Sequence, residues 1–319
     1  MTADPGAAFA AACARVPPET LAVVVAGVAI QIRVAGPALA ARLFEPVRHI
    51  ASTCSNAEVT IDIDAWGIDE TGVPLPPGQL LEESDTTRRR LVCAFPGVDS
   101  LTRLSMARPF QAGLLPLLAR LGRPAVHGGV IARGPGEPGL LLVGPNGSGK
   151  STTCLAALLA GFRLVGEDCL AVTRNGALHE GHSMYRSCCL TVQSQAMFRH
   201  LPGDVRRPLG APTDAKGVML LPCSANSDMM LRTAPIRALV LPVLGESGRP
   251  RLARAGTAET LRRFMPGLRF MRHLAPEDRR AQYDALTALV HDLPSYRLEL
   301  GDGVAGVPDL LFDLADSLR

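Results

Sequence analysis

The sequence predicts an α/β chain with a mixed sheet, preceded by a smaller α+β unit, on three observations. Residues 106–319 alternate strand-like apolar runs with helical segments. Within them a buried run, Leu140–Val143, enters a glycine-rich turn that opens an Ala/Leu-rich helix. Residues 1–105 read as strands gathered around one helix.

Composition sets the outer bounds. The 319 residues suffice for two units, and 47% hydrophobic content with 4% aromatics implies a core of Leu, Val and Ala. A net charge of +3, from 33 basic and 30 acidic residues, gives no reason to expect bulk nucleic-acid binding. Eight scattered cysteines (13, 54, 93, 154, 169, 188, 189, 223) contain no C-x-x-C pair, which suits reduced thiols and a cytoplasmic location. The most apolar stretch, Leu21–Val34, is too short for a membrane span and is interrupted by Gln31 and Arg33. Homo-oligomerisation is compatible with all of this.

In order along the chain, residues 1–19 are expected to be a mobile leader with room for one short helix. Residues 20–36 form two β-runs about Ala26-Gly27, a hairpin. Pro37 opens a helix to about Ile50, interrupted by Pro46. Glu58–Asp64 alternates as a strand, Gly67–Gly78 is turn-rich, and Arg89–Phe95 is a further strand. Asp62 and Asp64 share a strand face and are expected on its wet side; Trp66 is expected to pack beside the strand end. Arg88-Arg89-Arg90 reads as a solvated loop.

A helix over Pro109–Leu121 precedes the strand Ala125–Arg133. The turn Gly134–Gly139 then pairs that strand with Leu140–Val143 as a hairpin, so the glycine turn follows a strand with an antiparallel partner. After the helix Gly149–Ala160, capped by Gly161, come the strands Phe162–Val165 and Cys169–Thr173 and a turn at Asn175-Gly176. Residues 177–222 are expected to be irregular, with short strands around Cys189–Val192 and Gly217–Leu221. Ile236–Val243 is a core strand; helices follow at Thr257–Phe264 and Pro276–Leu293, then a strand at Tyr296–Leu300 and a helix at Val307–Leu318.

The chemistry concentrates at Gly144-Pro145-Asn146-Gly147-Ser148-Gly149-Lys150-Ser151, which fits G-x-x-x-x-G-K-[ST]. Glycines let backbone wrap a phosphate chain, and N–H groups at the following helix start hold the anion. Gly144, Asn146, Gly147, Ser148, Gly149, Lys150, Ser151 and Thr152 are the expected nucleotide-binding residues, with Lys150 on the β- and γ-phosphates and Ser151 on Mg²⁺. The chain has 33 basic residues of which two are lysines, leaving 31 arginines, so a lysine at this position is a departure from its own habit. Asp168, 18 residues after Lys150, lies one helix and one strand further on, a path that returns it beside the loop. An Asp there serves Mg²⁺ or accepts the proton of an attacking hydroxyl. Glu167 is expected to point the other way if the backbone is extended. Lys216, the other lysine, is a candidate for the γ-phosphate, with Arg186, Arg206, Arg207 and Arg232 as further phosphate clamps. His182 lies on the same segment as Arg186. A transporter-type motor would need a signature loop such as LSGGQ, and a Ras-type GTPase an Asn-Lys-x-Asp reader; neither occurs.

Val126-His127-Gly128-Gly129-Val130, the loop Gly144–Ser151 and Gly161-Phe162-Arg163-Leu164-Val165-Gly166-Glu167-Asp168 together resemble the catalytic domain of HPr kinase/phosphorylase. The likeness covers roughly residues 120–175 well and is closest to the branch that modifies peptides, such as kinases of lasso-peptide precursors. It implies a P-loop fold related to that of phosphoenolpyruvate carboxykinases, within residues 106–319, and a substrate-docking role for residues 1–105. It further implies ATP and Mg²⁺ as cofactors and transfer to a serine of a small protein or peptide. His127 would stand near the phosphates, Asp168 would be the general base, and Arg186 would keep a catalytic position. Glu167 stands where the family has Asp, and Met184 where it has a metal-binding Glu, so Ser151, Asp168 and Glu167 remain as metal ligands. A small-molecule kinase on the same fold, a nucleotide-binding regulator without transfer, and a structural subunit with a degenerate site are the alternatives.

Overall fold

The computed structural model of the protein describes residues 4–52, 59–75, 82–85, 87–203, 205–222, 229–245, 248–265 and 274–319. The expectations for Cys54, Glu58, residues 76–78 and Cys223 lie outside them.

The expected leader is instead a docked helix, α1 (Pro5–Arg15). Pro stands at its first position, and the Asp4 carboxylate accepts from Gly6 N–H at 3.0 Å. Its Phe9 and Ala12 are buried in a cluster with Trp66, and Arg15 donates to the carbonyls of Thr71 and Gly72 at 3.1 and 2.9 Å. An alanine-rich stretch carries little periodic signal, so tertiary burial decided what local pattern did not.

The hairpin of β1 (Glu19–Val25) and β2 (Val28–Ala35) turns at Ala26 and Gly27, both at positive φ. After α2 (Pro37–Phe44) the chain tightens into a 3₁₀ segment over Glu45–Ile50, where Pro46 removes a helical donor. β3 (Val59–Gly67), α3 (Ile68–Thr71), β4 (Glu82–Asp85) and β5 (Arg90–Phe95) complete a five-stranded sheet of order β1-β2-β3-β5-β4. Its three inner strands are parallel and both edges antiparallel. Trp66 is buried, as expected, and donates to Val73 O at 2.9 Å. Asp64 is not on a wet face: it is fully buried, bridged by Arg33 at 2.7 Å and Arg90 at 2.5 Å. A strand carboxylate read as solvated is thus an internal ion cluster, because α1 covers that face.

α4 (Arg103–Ala107) and α5 (Gln111–Arg120) lead into β6 (Ala125–Val126), β7 (Gly128–Ala132), β8 (Gly139–Val143), α6 (Lys150–Leu159), β9 (Arg163–Gly166), β10 (Leu170–Asn175) and β11 (Leu178–Ser183). A three-stranded sheet of order β12-β14-β13 follows, from β12 (Ser187–Leu190), α7 (Val192–Met197), β13 (Val205–Arg206) and β14 (Gly217–Leu220). Residues 177–222 are therefore more regular than expected; β11 pairs along its whole length with β10 across the Asn175-Gly176 turn. The chain closes with β15 (Thr233–Val243), β16 (Arg251–Arg254), α8 (Thr257–Phe264), α9 (Pro276–Asp292), β17 (Ser295–Glu299) and α10 (Val307–Ser317). The overall class is mixed α/β.

The nine-stranded sheet runs β6-β10-β11-β15-β8-β7-β9, with β17 on β15 and β16 on β17. β7 and β8 form the expected antiparallel hairpin, and β9 is antiparallel to β7 in turn. β15 lies parallel to β8, and β17 parallel to β15. The carboxyl ends of β8, β9, β15 and β17 therefore share one edge with the start of β7. Helices α6 and α10 cover one face through Leu155 and Leu311; α8 and α9 cover the other through Phe264 and Leu286. Ile32 and Ile63 of the first sheet share a core with Leu114 of α5 and with Met184 and Tyr185. No helix among the described residues is long and apolar enough to cross a membrane.

Removing the buried Asp64 carboxylate leaves two guanidiniums facing an emptied apolar site. Asp64→Ala is expected to lower the unfolding free energy by about 3 kcal/mol, measured by urea denaturation; a loss below a few tenths would mean that Arg33 and Arg90 reach solvent freely.

Candidate active site

The site is built where those strand ends meet. The turn out of β8 places Gly144, Gly147 and Gly149 at φ of 153°, 81° and 100° before α6 begins at Lys150. Gly149 needs its hydrogen twice over, since a Cβ would also lie 2.3 Å from Leu300 Cδ1. Beneath the loop, Gly129 on β7 lets α6 approach: a Cβ there would sit 2.5 Å from Cys154 Sγ and 3.1 Å from the Glu167 carbonyl. Asn146 and Gly147 are exposed at the tip, Ser151 and Thr152 half-buried on α6, and Ser148 and Lys150 buried. The Ser148 hydroxyl, hidden from solvent, has no partner. Lys150 donates to two carbonyls of its own loop, Gly144 O at 2.8 Å and Pro145 O at 3.0 Å. Burial lowers its proton affinity, against the pull of Asp168 and Glu167.

Glu167 and Asp168 follow β9 in a bend rather than in extended backbone. The expectation that Glu167 points away is therefore corrected: both carboxylates turn toward the loop. The Ser151 hydroxyl stands near enough to Glu167 to favour its ionised form, and Cys189 N–H reaches Glu167 Oε2 at 3.4 Å. His127, in the break between β6 and β7, joins the two sides; its Nδ1 lies 2.9 Å from Asp168 Oδ1 and its Nε2 3.2 Å from Asn146 Oδ1. The other Asp168 oxygen accepts from Arg108.

Arg108 carries no sequence signal, being one arginine among 31. The fold places it by clamping its neighbours: Ser187 Oγ donates to Ala107 O at 2.5 Å and Tyr185 OH to Pro109 O at 3.0 Å. The pair of acids divides the charge. Burial foremost, then the Asp168 charge, pushes the Glu167 carboxyl up from 4.5 to about 7. Burial opposes ionisation of Asp168 as well, but the His127 hydrogen bond, Arg108 and Lys150 outweigh it and hold that carboxyl well below the usual range. Burial also keeps the thiols of Cys154, Cys169, Cys188 and Cys189 protonated, so the wall behind the acids is apolar rather than nucleophilic.

The remaining expected residues divide. Lys216, exposed just before β14, is near enough for its charge to act on Lys150. Arg186 is not in the site: its side chain donates to Glu45 O at 2.8 Å and to Leu221 O and lies 3.6 Å from the Glu45 carboxylate, tying the 3₁₀ segment to the second half of the chain. Arg206 bonds Glu45 at 2.6 Å, Arg207 bonds Gln195 at 2.8 Å, and Arg232 bonds Ala51 O at 2.8 Å. None of these bonds reaches the loop. His182 is paired with Thr173 Oγ1 at 2.7 Å along the β10–β11 hairpin.

A solved structure, the Hpr(Ser) kinase/phosphatase from Coxiella burnetii, is similar to this chain at 12% identity over 60% of it and 94% of that chain, with a TM-score of 0.31. No family model and no curated protein matches the chain.

Two outcomes follow. Gly149→Ala is expected to cost about 1–3 kcal/mol in thermal or urea unfolding through strained φ and the Leu300 contact. Because folded Glu167 keeps its proton to about 7 rather than 4.5, its contribution weakens folding progressively as pH rises across that window and is constant above it. Asp168 acts oppositely, its contribution being lost as pH falls below the ordinary carboxylate range. Glu167→Gln should therefore gain stability over the wild type between pH 5 and about 7, as read by denaturation at several pH values; an unchanged difference across that range contradicts the assignment.

Proposed function

We propose that the protein is an ATP-dependent kinase that passes the γ-phosphate to a serine hydroxyl of a small protein or precursor peptide. The observation supporting this is the junction at one sheet edge, where a glycine loop opening α6 faces two adjacent carboxylates, with Ser151 beside Glu167 and Asn146 linked to Asp168 through His127. Loop amides from Gly144 to Ser151, with Thr152, would hold the phosphates. Lys150 would exchange the carbonyls of Gly144 and Pro145 for phosphate oxygens, and Lys216 would approach from solvent.

The oxygen donors of Ser151, Glu167 and Asp168 fit magnesium, which takes few protein carboxylates and completes its shell with phosphate oxygens and water. Among the described residues no group of three His, Cys, Asp or Glu could hold a metal alone, so the fit is to a metal–nucleotide pair. Bound there, the ion would offset charge shared between the phosphates. Asp168 would take the serine proton as the new P–O bond forms and the bond to the leaving diphosphate breaks. His127 would keep that carboxylate aimed. Arg108 holds Asp168 free of protons, and the step requires it to turn from the carboxylate to the incoming phosphate. Residues 1–105 would dock the acceptor, and the cytoplasm is the proposed setting.

A second reading, a nucleotide-binding regulator without transfer, draws on one feature: both Asp168 oxygens are already engaged.

Incubation with γ-labelled ATP, Mg²⁺ and a library of serine-containing peptides separates the two. The kinase labels a peptide; the regulator binds ATP and labels none. Asp168→Asn is expected to slow transfer by about 10²–10⁴-fold with nucleotide binding retained, whereas Lys150→Ala weakens both. Transfer at the wild-type rate in Asp168→Asn removes the base assignment, and absence of ATP affinity in the wild type removes both readings.

A further inference from the structure

On the opposite flank of β8 from the two acids, β15 and β17 end in a cleft of about 410 Å³. Its polar lining is supplied by Arg249, Arg251, Arg263, Arg297 and Glu299. Arg263 and Arg297 share the Glu259 carboxylate at 3.4 and 3.9 Å, and Arg297 lies 3.1 Å from Glu299. Four guanidiniums against these two carboxylates leave two positive charges. Arg249 and Arg251 are exposed and make no side-chain hydrogen bond or ion pair among the described residues. Arg297 Nε–H is hidden from solvent and has no acceptor, so its two carboxylates leave donor capacity over.

The cleft adjoins the glycine loop. Leu300, immediately after Glu299, is the side chain against which Gly149 packs, and Pro242, immediately before the lining residue Val243, has its carbonyl 4.0 Å from where a Gly144 Cβ would be. Leu300 N–H donates to Val243 O at 2.9 Å, fixing the floor between the two strands. A ligand whose terminal phosphate faced Asp168 would extend across the loop toward this side.

We propose that the cleft is a second anion subsite that takes a phosphate group of a small organic phosphate. Guanidinium forks match phosphate oxygens in pairs, the volume suits a small molecule, and the two unpaired forks stand where the lining is open. The phosphate has two possible sources: the inner part of a nucleotide seated in the glycine loop, or a separate molecule beside it. Only the first rests on the nucleotide-binding reading of the loop.

The test is titration calorimetry at low salt with inorganic pyrophosphate and with ATP. The proteins are the wild type, the double variant Arg249→Ser/Arg251→Ser and the loop variant Lys150→Ala. If the cleft takes the nucleotide, pyrophosphate binds wild type and double variant alike, while ATP affinity falls about tenfold in the double variant. If it takes a separate molecule, the wild type binds two pyrophosphates per chain, and the double variant keeps only the one that Lys150→Ala removes. A single pyrophosphate site in the wild type, lost in the double variant but indifferent to Lys150→Ala, supports the cleft and counts against the loop reading alone. Equal stoichiometry and affinity for both probes in wild type and double variant overturns the proposal. Arg249→Glu, on an exposed turn, gives the same readout should the double variant fold poorly.

Discussion

Two carboxylates on consecutive residues cannot both stay charged in a buried bend unless cations are brought to them, and the site is arranged around that need. Arg108 arrives from the segment after α4, His127 from the break before β7, and Lys150 from the first turn of α6. They favour one acid of the pair. Asp168 keeps its charge, and Glu167 is left with its proton near neutrality. An asymmetric pair of this kind offers, at one place, a fixed negative charge and a group able to exchange a proton. Which is used for what depends on how the cations redistribute when an anion enters.

The sheet makes the meeting possible. Because β7 runs against both of its neighbours, β8 and β9 point the same way and release their following residues at one edge. The same reversal puts His127, which precedes β7, between the two. A parallel β7 would send His127 to the far edge. Gly129 then matters for packing rather than for turning, since α6 and β9 close on β7 at distances that admit no side chain.

Much of this was readable in the residues. The glycine loop, its flanking strand and helix, and the β7–β8 hairpin all follow from local pattern, as do α8, α9 and α10, whose boundaries fall close to those expected. What escaped was everything decided by distant partners. Arg108 acts because Ser187 and Tyr185 pin its neighbours from elsewhere in the chain. Arg186, singled out by its place in a motif, is taken up by Glu45 and Leu221. Asp64 looked solvated because period-2 alternation identifies a face but cannot say that α1 will lie on it. The turn of Glu167 toward Ser151 depended on a bend that two polar residues after a strand do not announce.

The clasp of Arg186 about Glu45, with Arg123 on Ala26 O at 2.7 Å and His49 on Ser183 at 2.6 Å, joins the early strands to the later ones through polar bonds at the rim of a common apolar interior. Neither half can shed the other without baring that interior to water. Cooperativity is the expected consequence: the two sheets should melt together in one transition.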